Sequence, residues 1–465
     1  MGHIQHTNCP NFVRNSIVSE QKKEPLSTNQ ISDTDARVLD AAYNKISWHI
    51  IPLLILGYIV AHLDRSNIGF ARIQMLGDLG LSEVIYGLGA GLFYLGYSMF
   101  EIPSNLLLKK IGARLTFARI MIIWAIISAS FALVTSAIGF TVLRFLLGCA
   151  EAGFFPGVLL YITFWIPARR RARFTALFMS ALVISGLIGA PISGLILGNL
   201  DGFIGLRGWQ WLFIIEAIPS VILGIIVMIW MSDEPSQASW LTEKEKTLVR
   251  GDLEKENNAT IASGEKRSQS LGETFKDYRL YVLGMMAAAL VSGIGGLAFW
   301  LPAILRQAGV ENVTTLGFLA GLPYLIALVA QQWVAHHSDK VGERRWHVAI
   351  CAIICGTSWL LLPFFSDQPL WSLLFLTSAC VGAFGATGPF WSMPADILSR
   401  SASAGGIAIV SSIGAMFAFL SPIIVGWGAD KTGSLALGQI YYGCLFLVAA
   451  MVLIVGTRSQ KALKK

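Results

Sequence analysis

Apolar runs of about 20 residues recur along nearly the whole 465-residue chain, and they limit the possible folds more than any other feature. A run of that length at helical rise matches the hydrocarbon thickness of a bilayer. Twelve such runs are read, near 47–70, 82–108, 115–136, 139–165, 173–197, 209–231, 281–305, 314–335, 347–365, 370–398, 405–428 and 437–456. Each is continuous rather than alternating, which points to helices and away from a membrane barrel. Only 14% of the residues are charged, against roughly a quarter in a soluble domain. The expected fold is an all-α membrane protein with twelve transmembrane helices in two pseudo-symmetric six-helix bundles.

One long hydrophilic stretch interrupts the pattern and divides the chain. The expected parts are a tail over 1–46, a first six-helix bundle over 47–232, a central loop over 233–279, a second bundle over 280–457 and a short tail over 458–465. Basic residues collect in loops of one parity: Lys109, Lys110 and Arg114; Arg169, Arg170, Arg171 and Arg173; Lys340, Arg344 and Arg345; and Arg400. The other loops hold only Arg72, Arg207, Arg306 and Lys431. By the positive-inside rule the first set, both termini and the central loop are cytoplasmic, in a multi-pass inner-membrane protein.

This distribution also explains the net charge of +7, so no nucleic-acid partner is expected; the partner is the lipid bilayer. The six cysteines are scattered without metal-ligand spacing or a disulfide framework. His3, His6 and Cys9 sit in a polar tail read as disordered, and no cleavable signal peptide is visible in the first 45 residues. No metal or other cofactor is expected.

Charge inside the apolar runs marks the candidate site. The first run ends in A-H-L-D-R-S-N-I-G-F-A, with Asp64 and Arg65 at membrane depth. Ionisable groups there are costly unless paired or facing water, which makes them functional candidates. The fourth run reads R-F-L-L-G-C-A-E-A-G-F-F-P from Arg144 to Pro156. Arg144, Gly148 and Glu151 share a helix face, the two charges about 10 Å apart along the axis. Gly148 leaves room there for a ligand or a neighbouring helix. Arginine offers a permanently charged planar fork for a carboxylate, and a carboxylic acid in an apolar bundle can carry a proton. Glu101, Glu216 and Asp396, the last near Arg400, read as helix-end contacts or inter-helix latches. Trp300, Phe390 and Trp391 read equally as pocket lining or packing.

The halves echo each other: S-N-L-L-L-K-K-I-G-A-R (Ser104–Arg114) after the second run matches A-H-H-S-D-K-V-G-E-R-R (Ala335–Arg345) after the eighth. Parallel six-helix repeats suit a rocking transporter with its site between the halves. The second loop resembles the cytoplasmic signature of the major facilitator superfamily. L-D-R-x-N-I-G-x-A, R-x-x-x-G-x-x-E-A-G-F-x-P, D-E-P-S-Q-A-S-W-L-T-E-K-E-K, F-W-L-P (Phe299–Pro302) and G-P-F-W-x-x-P (Gly388–Pro394) extend the likeness over the whole length. The chain is similar to the anion:cation symporter family of that superfamily. F-Y-L-G-Y-S-M-F-E-I-P-S-N (Phe93–Asn105) places it near the tartrate transporter and 4-hydroxyphenylacetate permease group.

That resemblance implies proton coupling through Asp64 and Glu151, with Asp64 the more exposed acid, tuned by Arg65. It implies substrate binding by Arg65, Arg144, Tyr97 and the positions of His62, Trp391 and Ser411. Gating falls to Lys109, Gly112 and Arg114 in one loop and to Asp339, Lys340, Gly342 and Arg344 in the other. The first loop departs from the signature, with Asn105 and Lys109 where Gly and Asp are usual. His62 replaces an aromatic residue, and S-S-I-G-A-M-F-A-F (Ser411–Phe419) replaces a pattern richer in amides and glycines. The pocket is therefore expected to be smaller and less polar than a sugar-acid site.

The expected function is proton-coupled uptake of a small organic anion by a monomer. Hydroxy or dicarboxylic acids, aromatic acids and sugar acids all fit two arginines. Exchange or uniport of the same anion is the alternative. A membrane enzyme lacks a convergent nucleophile–base pair, and a transporter-like receptor would add a larger soluble domain than this loop allows.

Overall fold

The computed structural model describes residues 33–262, 277–397 and 403–457. His3, His6, Cys9, Arg400, the tail over 458–465 and the side chains of Arg173 and Asp396 lie outside the described residues. The helices are α1 Asp33–Leu79, α2 Glu83–Ile111, α3 Ala113–Ser130, α4 Ala137–Glu151, α5 Phe154–Trp165, α6 Ala168–Asn199 and α7 Gly208–Trp230. They continue with α8 Glu243–Ala262, α9 Tyr278–Gln307, α10 Val313–Val341, α11 Arg345–Leu361, α12 Pro369–Ile397, α13 Ser403–Thr432 and α14 Ala436–Gly456.

Eleven spans among the described residues are long and apolar enough to cross a membrane, with α4 and α5 forming one of them. Helix α2 is the twelfth crossing element. Its 29 residues are ample in length, but Tyr94, Tyr97, Ser98, Glu101, Ser104 and Asn105 make it the polar member. The molecule is thus all-helical, with six crossing elements in each half. Ile102, Ile126, Ile229, Val329 and Val455 are more than half exposed on its outside. So broad an apolar surface is stable only against lipid.

Two expectations are corrected. Helix α1 starts at Asp33, inside the stretch expected to be a tail, because Leu39, Ala42, Tyr43 and Ile46 form a buried helical stripe. The central loop is also partly helical, and α8 is fixed to the first half. The Asp252 carboxylate accepts from Tyr43 at 2.8 Å and twice from Arg169, at 2.7 and 2.6 Å. Lys45 donates to Glu245 at 2.7 Å, and Thr242 and Glu245 cap the start of α8 reciprocally. Trp240 stacks between His49 and Trp165, with centroids 4.2 and 5.7 Å away.

The fourth crossing element breaks immediately after Glu151. Gly153 takes a left-handed conformation, φ 86°, where a Cβ would lie 2.5 Å from the Ser104 side chain. Only glycine fits both demands.

The backbones of the halves approach most closely in the part of each helix distant from the basic loops, while nearer those loops Gln332 donates to Ser180 at 2.9 Å. A Cβ on Gly87 would lie 2.1 Å from the Pro422 carbonyl oxygen, and one on Gly194 would lie 2.7 Å from Gly317. The Asp430 carboxylate accepts from the first backbone N–H groups of α2, at Glu83 (2.9 Å) and Val84 (3.0 Å). Arg72 pairs with Glu83 and lies over the Trp300 ring, 5.3 Å from its centroid. The bundle is closed at that end.

Asp252→Asn should free α8. Tyr43 and Arg169 lose a charged acceptor, at about 1–3 kcal/mol. Faster tryptic cleavage of α8 and a lower unfolding temperature are expected; an unchanged cleavage rate would show that α8 is held by its aromatic contacts instead. Burial alone would raise Glu245, but hydrogen bonds from Lys45 and Thr242 hold it below the usual carboxylate range. Its contribution is full above that ordinary range and is lost as pH falls through the depressed value, so cleavage of α8 should accelerate only in acid.

Candidate functional site

Neighbouring residues on a helix point about 100° apart, and this separates Asp64 from Arg65. Asp64 turns into the first half, where Ser128 donates to it at 2.7 Å and Ser220 at 3.2 Å. Arg65 turns the other way. Its Nε donates to Glu151 at 2.6 Å, and its guanidinium lies over Tyr97 and Phe93, 4.9 and 5.2 Å from the centroids.

Asp64 and Arg65 therefore do not pair, and Asp64 is not the more exposed acid. Both Asp64 and Glu151 are 0% exposed, whereas the Arg65 side chain keeps 13% of its surface open.

Glu151, which reaches Arg65, is the last residue of α4 and stands two residues before the break at Gly153. Arg144, two turns earlier, is also fully buried and lies over the opposite part of Phe93's environment, 5.1 Å from its centroid. Its Nε donates to the Gly89 carbonyl at 3.4 Å, while Nη1 and Nη2 have no partner. Nη2 of Arg65 and Oε1 of Glu151 are unpartnered as well.

Gly148 does not open space for a ligand. A Cβ there would lie 2.0 Å from the Phe93 carbonyl oxygen, so its role is to let α2 approach α4 closely. That approach brings Phe93, Tyr94 and Tyr97 beside the charged groups. Two guanidiniums and one carboxylate therefore lie buried around aromatic rings, with Arg65 alone paired to Glu151 and Arg144 acting on it through its field. The cluster carries one surplus positive charge and several N–H groups with no acceptor. Such groups demand an acceptor when buried, and a carboxylate meets both demands.

The remaining candidates are more dispersed. His62 meets Tyr58 edge-on at 5.1 Å, one turn before the cluster. Trp391 is 40% exposed and packs against Phe390 at 5.1 Å, and Ser411 is exposed on α13. No contact among the described residues links either of these two to the arginines.

In the loop after α2, Gly112 has φ 90° and Arg114, two residues on, donates a backbone N–H to Asp233 at 2.8 Å. Lys109 and the Arg114 side chain are exposed. Asp233, from beyond α7, thus supplies a carboxylate to a loop whose own position 109 is a lysine. In the second loop, Gly342 ends α10 with φ 67°, Asp339 lies 3.9 Å from Arg344, and Lys340 is exposed.

Sequence reasoning missed the serines that receive Asp64. Ser220 had a signal, standing four residues after Glu216 on one face of α7; Ser128 had none. Of the two readings for Glu216, helix-end contact or inter-helix latch, the geometry matches the latch between α7 and α6. Glu216 is nearly buried and accepts from Ser193 at 2.8 Å. Among the described residues, no group of three or more His, Cys, Asp or Glu side chains is placed to hold a metal.

Residues 54–418 match the model of the Major Facilitator Superfamily. The chain is 43% identical over 435 residues to a protein of Agrobacterium vitis named "Putative tartrate transporter", covering 93% of this chain and 94% of that one. It is 42% identical over 414 residues to the metabolite transport protein NicT of Pseudomonas putida, covering 89% and 94% respectively. Its fold resembles the inward-open xylose transporter XylE from E. coli, with TM-score 0.71, 15% identity and coverage of 89% and 97%. The chain belongs to the Major Facilitator Superfamily and is a multi-pass membrane transporter.

Proposed function

We propose that this transporter takes up a small organic anion together with protons, by alternating access across the inner cell membrane, with both termini and the basic loops cytoplasmic. Hydroxy or dicarboxylic, aromatic and sugar acids are its candidate substrates, and the protein acts as a monomer. The observation that carries this reading is the buried Arg65–Glu151 pair with the unpartnered Arg144 guanidinium beside the same Phe93 ring. Relatives named for tartrate and metabolite transport support an organic-anion substrate. With the basic loops inside, the closed end faces outward and the site opens toward the cytoplasm.

The coupling follows from competition. Arg65 is the partly open member, so an incoming carboxylate meets it first and displaces Glu151 from its side. Glu151 is then a buried carboxylate with its paired cation occupied, a state several kcal/mol unfavourable. A proton on Glu151 removes that penalty. Substrate and proton consequently favour each other's binding by the same factor. Arg144, with both terminal nitrogens unpartnered, supplies the remaining positive charge and the second point of carboxylate recognition. Phe93, Tyr94 and Tyr97 supply the apolar wall.

Arg65→Lys keeps the charge but loses the fork, so affinity should fall about 10- to 100-fold, equivalent to ~1.4–2.8 kcal/mol. Arg144→Gln should lose affinity at least as strongly. Calorimetric titration of the purified variants with tartrate and a panel of hydroxy, aromatic and sugar acids checks both, and an unchanged dissociation constant removes that arginine from the site. Glu151→Gln mimics the protonated acid. In proteoliposomes it should still exchange substrate in counterflow, yet fail to accumulate it when the outside is acidified. Accumulation at the wild-type level would mean that Glu151 is not the coupling acid, and wild-type exchange with no response to pH would establish an exchanger or uniporter.

A further inference from the structure

A second group of buried polar side chains lies inside the first half, away from the arginines. Glu216 on α7 is 4% exposed and accepts from Ser193 of α6, while its Oε2 has no partner. Asp64 on α1 accepts from Ser128 of α3 and Ser220 of α7. The two helices set these groups out as adjoining rungs: Ser220 follows Glu216 by four residues, and Asn67 follows Asp64 by three, each on one helix face. Asp64 thus meets Ser220, and Asn67 lies against Glu216.

Asn67 is 1% exposed, and neither its Oδ1 nor its Nδ2 makes a hydrogen bond of normal geometry. The fully buried indole N–H of Trp124 faces Asp64, likewise without a hydrogen bond of normal geometry. Buried polar atoms short of full hydrogen bonding are uncommon in native proteins and each calls for an explanation.

The cation nearest this cluster, Arg65, follows Asp64 in the chain but is paired with Glu151 instead. Helix α1 offers Asp64, and α4 offers Glu151, already paired with Arg65; α3 and α6 offer the hydroxyls of Ser128 and Ser193. Among the described ion pairs, none brings Lys or Arg to Asp64 or Glu216. Two buried carboxylates with no cation cannot both remain ionised, because desolvation and mutual repulsion oppose it together. We infer that Asp64 and Glu216, with Asn67 and Ser220 beside them, form a proton-binding site inside the first half, separate from the arginine cluster. Its role in transport rests on the proposed coupling, to which this site adds Glu216 as a positioning residue that reaches the substrate only through Asp64 and α1. A proton held there binds to the free carboxylate oxygen of Glu216 or Asp64, and no other bond is made or broken.

Infrared titration of the purified, substrate-free full chain reads the site directly. A protonated-carboxyl band should be present at neutral pH in the wild type and in Glu151→Gln, and lost in the double variant Asp64→Asn/Glu216→Gln. Ser193→Ala removes only the hydroxyl on Glu216; it should shift the band's titration midpoint, and it serves if the double variant does not fold. An unchanged band in the double variant, or an unmoved midpoint in Ser193→Ala, overturns the inference. Disappearance of the wild-type band on adding sodium chloride, but not N-methylglucamine chloride, also overturns it, by assigning the oxygens to a sodium ion. Because no substrate is present, the result is independent of whether the wild type accumulates an anion in a pH gradient. In a preparation that does accumulate one, Glu216→Gln should shift the pH dependence of uptake while leaving counterflow in place.

Discussion

The Arg65–Glu151 ion pair is the interaction on which the site depends. A guanidinium and a carboxylate, each at membrane depth, join α1 to the end of α4 through a 2.6 Å hydrogen bond. Removing one partner of such a buried pair generally costs about 3–5 kcal/mol, because the other charge is left uncompensated. The pair therefore holds the two helices together and at the same time marks the one place where an exchange of partners has a large energetic effect. The helix breaks at Gly153, directly beyond this pair, so the chain turns into α5 just after Glu151. The pair's surroundings require Gly148, whose missing side chain lets α2 bring Phe93 and Tyr97 under the guanidinium.

Much of this could be read in the sequence. The twelve apolar runs correspond to the twelve crossing elements, since lipid leaves a helix little alternative. Arg65, Arg144, Glu151 and Tyr97 come together, as their placement in apolar runs and the family resemblance led one to expect. The direction of each side chain was less accessible. Asp64 and Arg65 are consecutive, and a text that places them together says nothing of which neighbour each helix face meets. Ser128 and Ser193 look like ordinary small residues in apolar helices until a carboxylate is found beside them. Local polarity likewise misled at the ends: 33–46 and much of 233–262 read as tail and loop, but a short apolar stripe and paired charges make them helix. Trp391 and Ser411 belong to the second half, and their relation to the arginines depends on how the halves are oriented, which periodicity does not encode.

The contacts at the closed end have a character suited to being undone. Glycine-lined crossings at Gly87 and Gly194 bring backbones together without interdigitated side chains, so separation leaves no deep holes. The polar contacts there are of the same kind. Asp430 caps the N-terminus of α2 from the other half, an interaction worth roughly 0.3–1 kcal/mol where water has access. Arg72 pairs with Glu83 within its own half while lying over Trp300 of the other. Once the halves part, Arg72 and Glu83 keep each other, and Asp430 and the α2 N–H groups can turn to water. Few charges are stranded by opening. The arginine cluster is the reverse case: Arg65, Arg144 and Glu151 all lie in the first half, so rocking of the halves does not separate them, and in the proposed coupling a competing carboxylate or a proton does. The chemistry of occupancy and the mechanics of opening thus fall on different sets of contacts. Phe93 and Tyr86 connect them, since both lie on α2, whose first turn Asp430 caps and whose middle lies beneath the arginines.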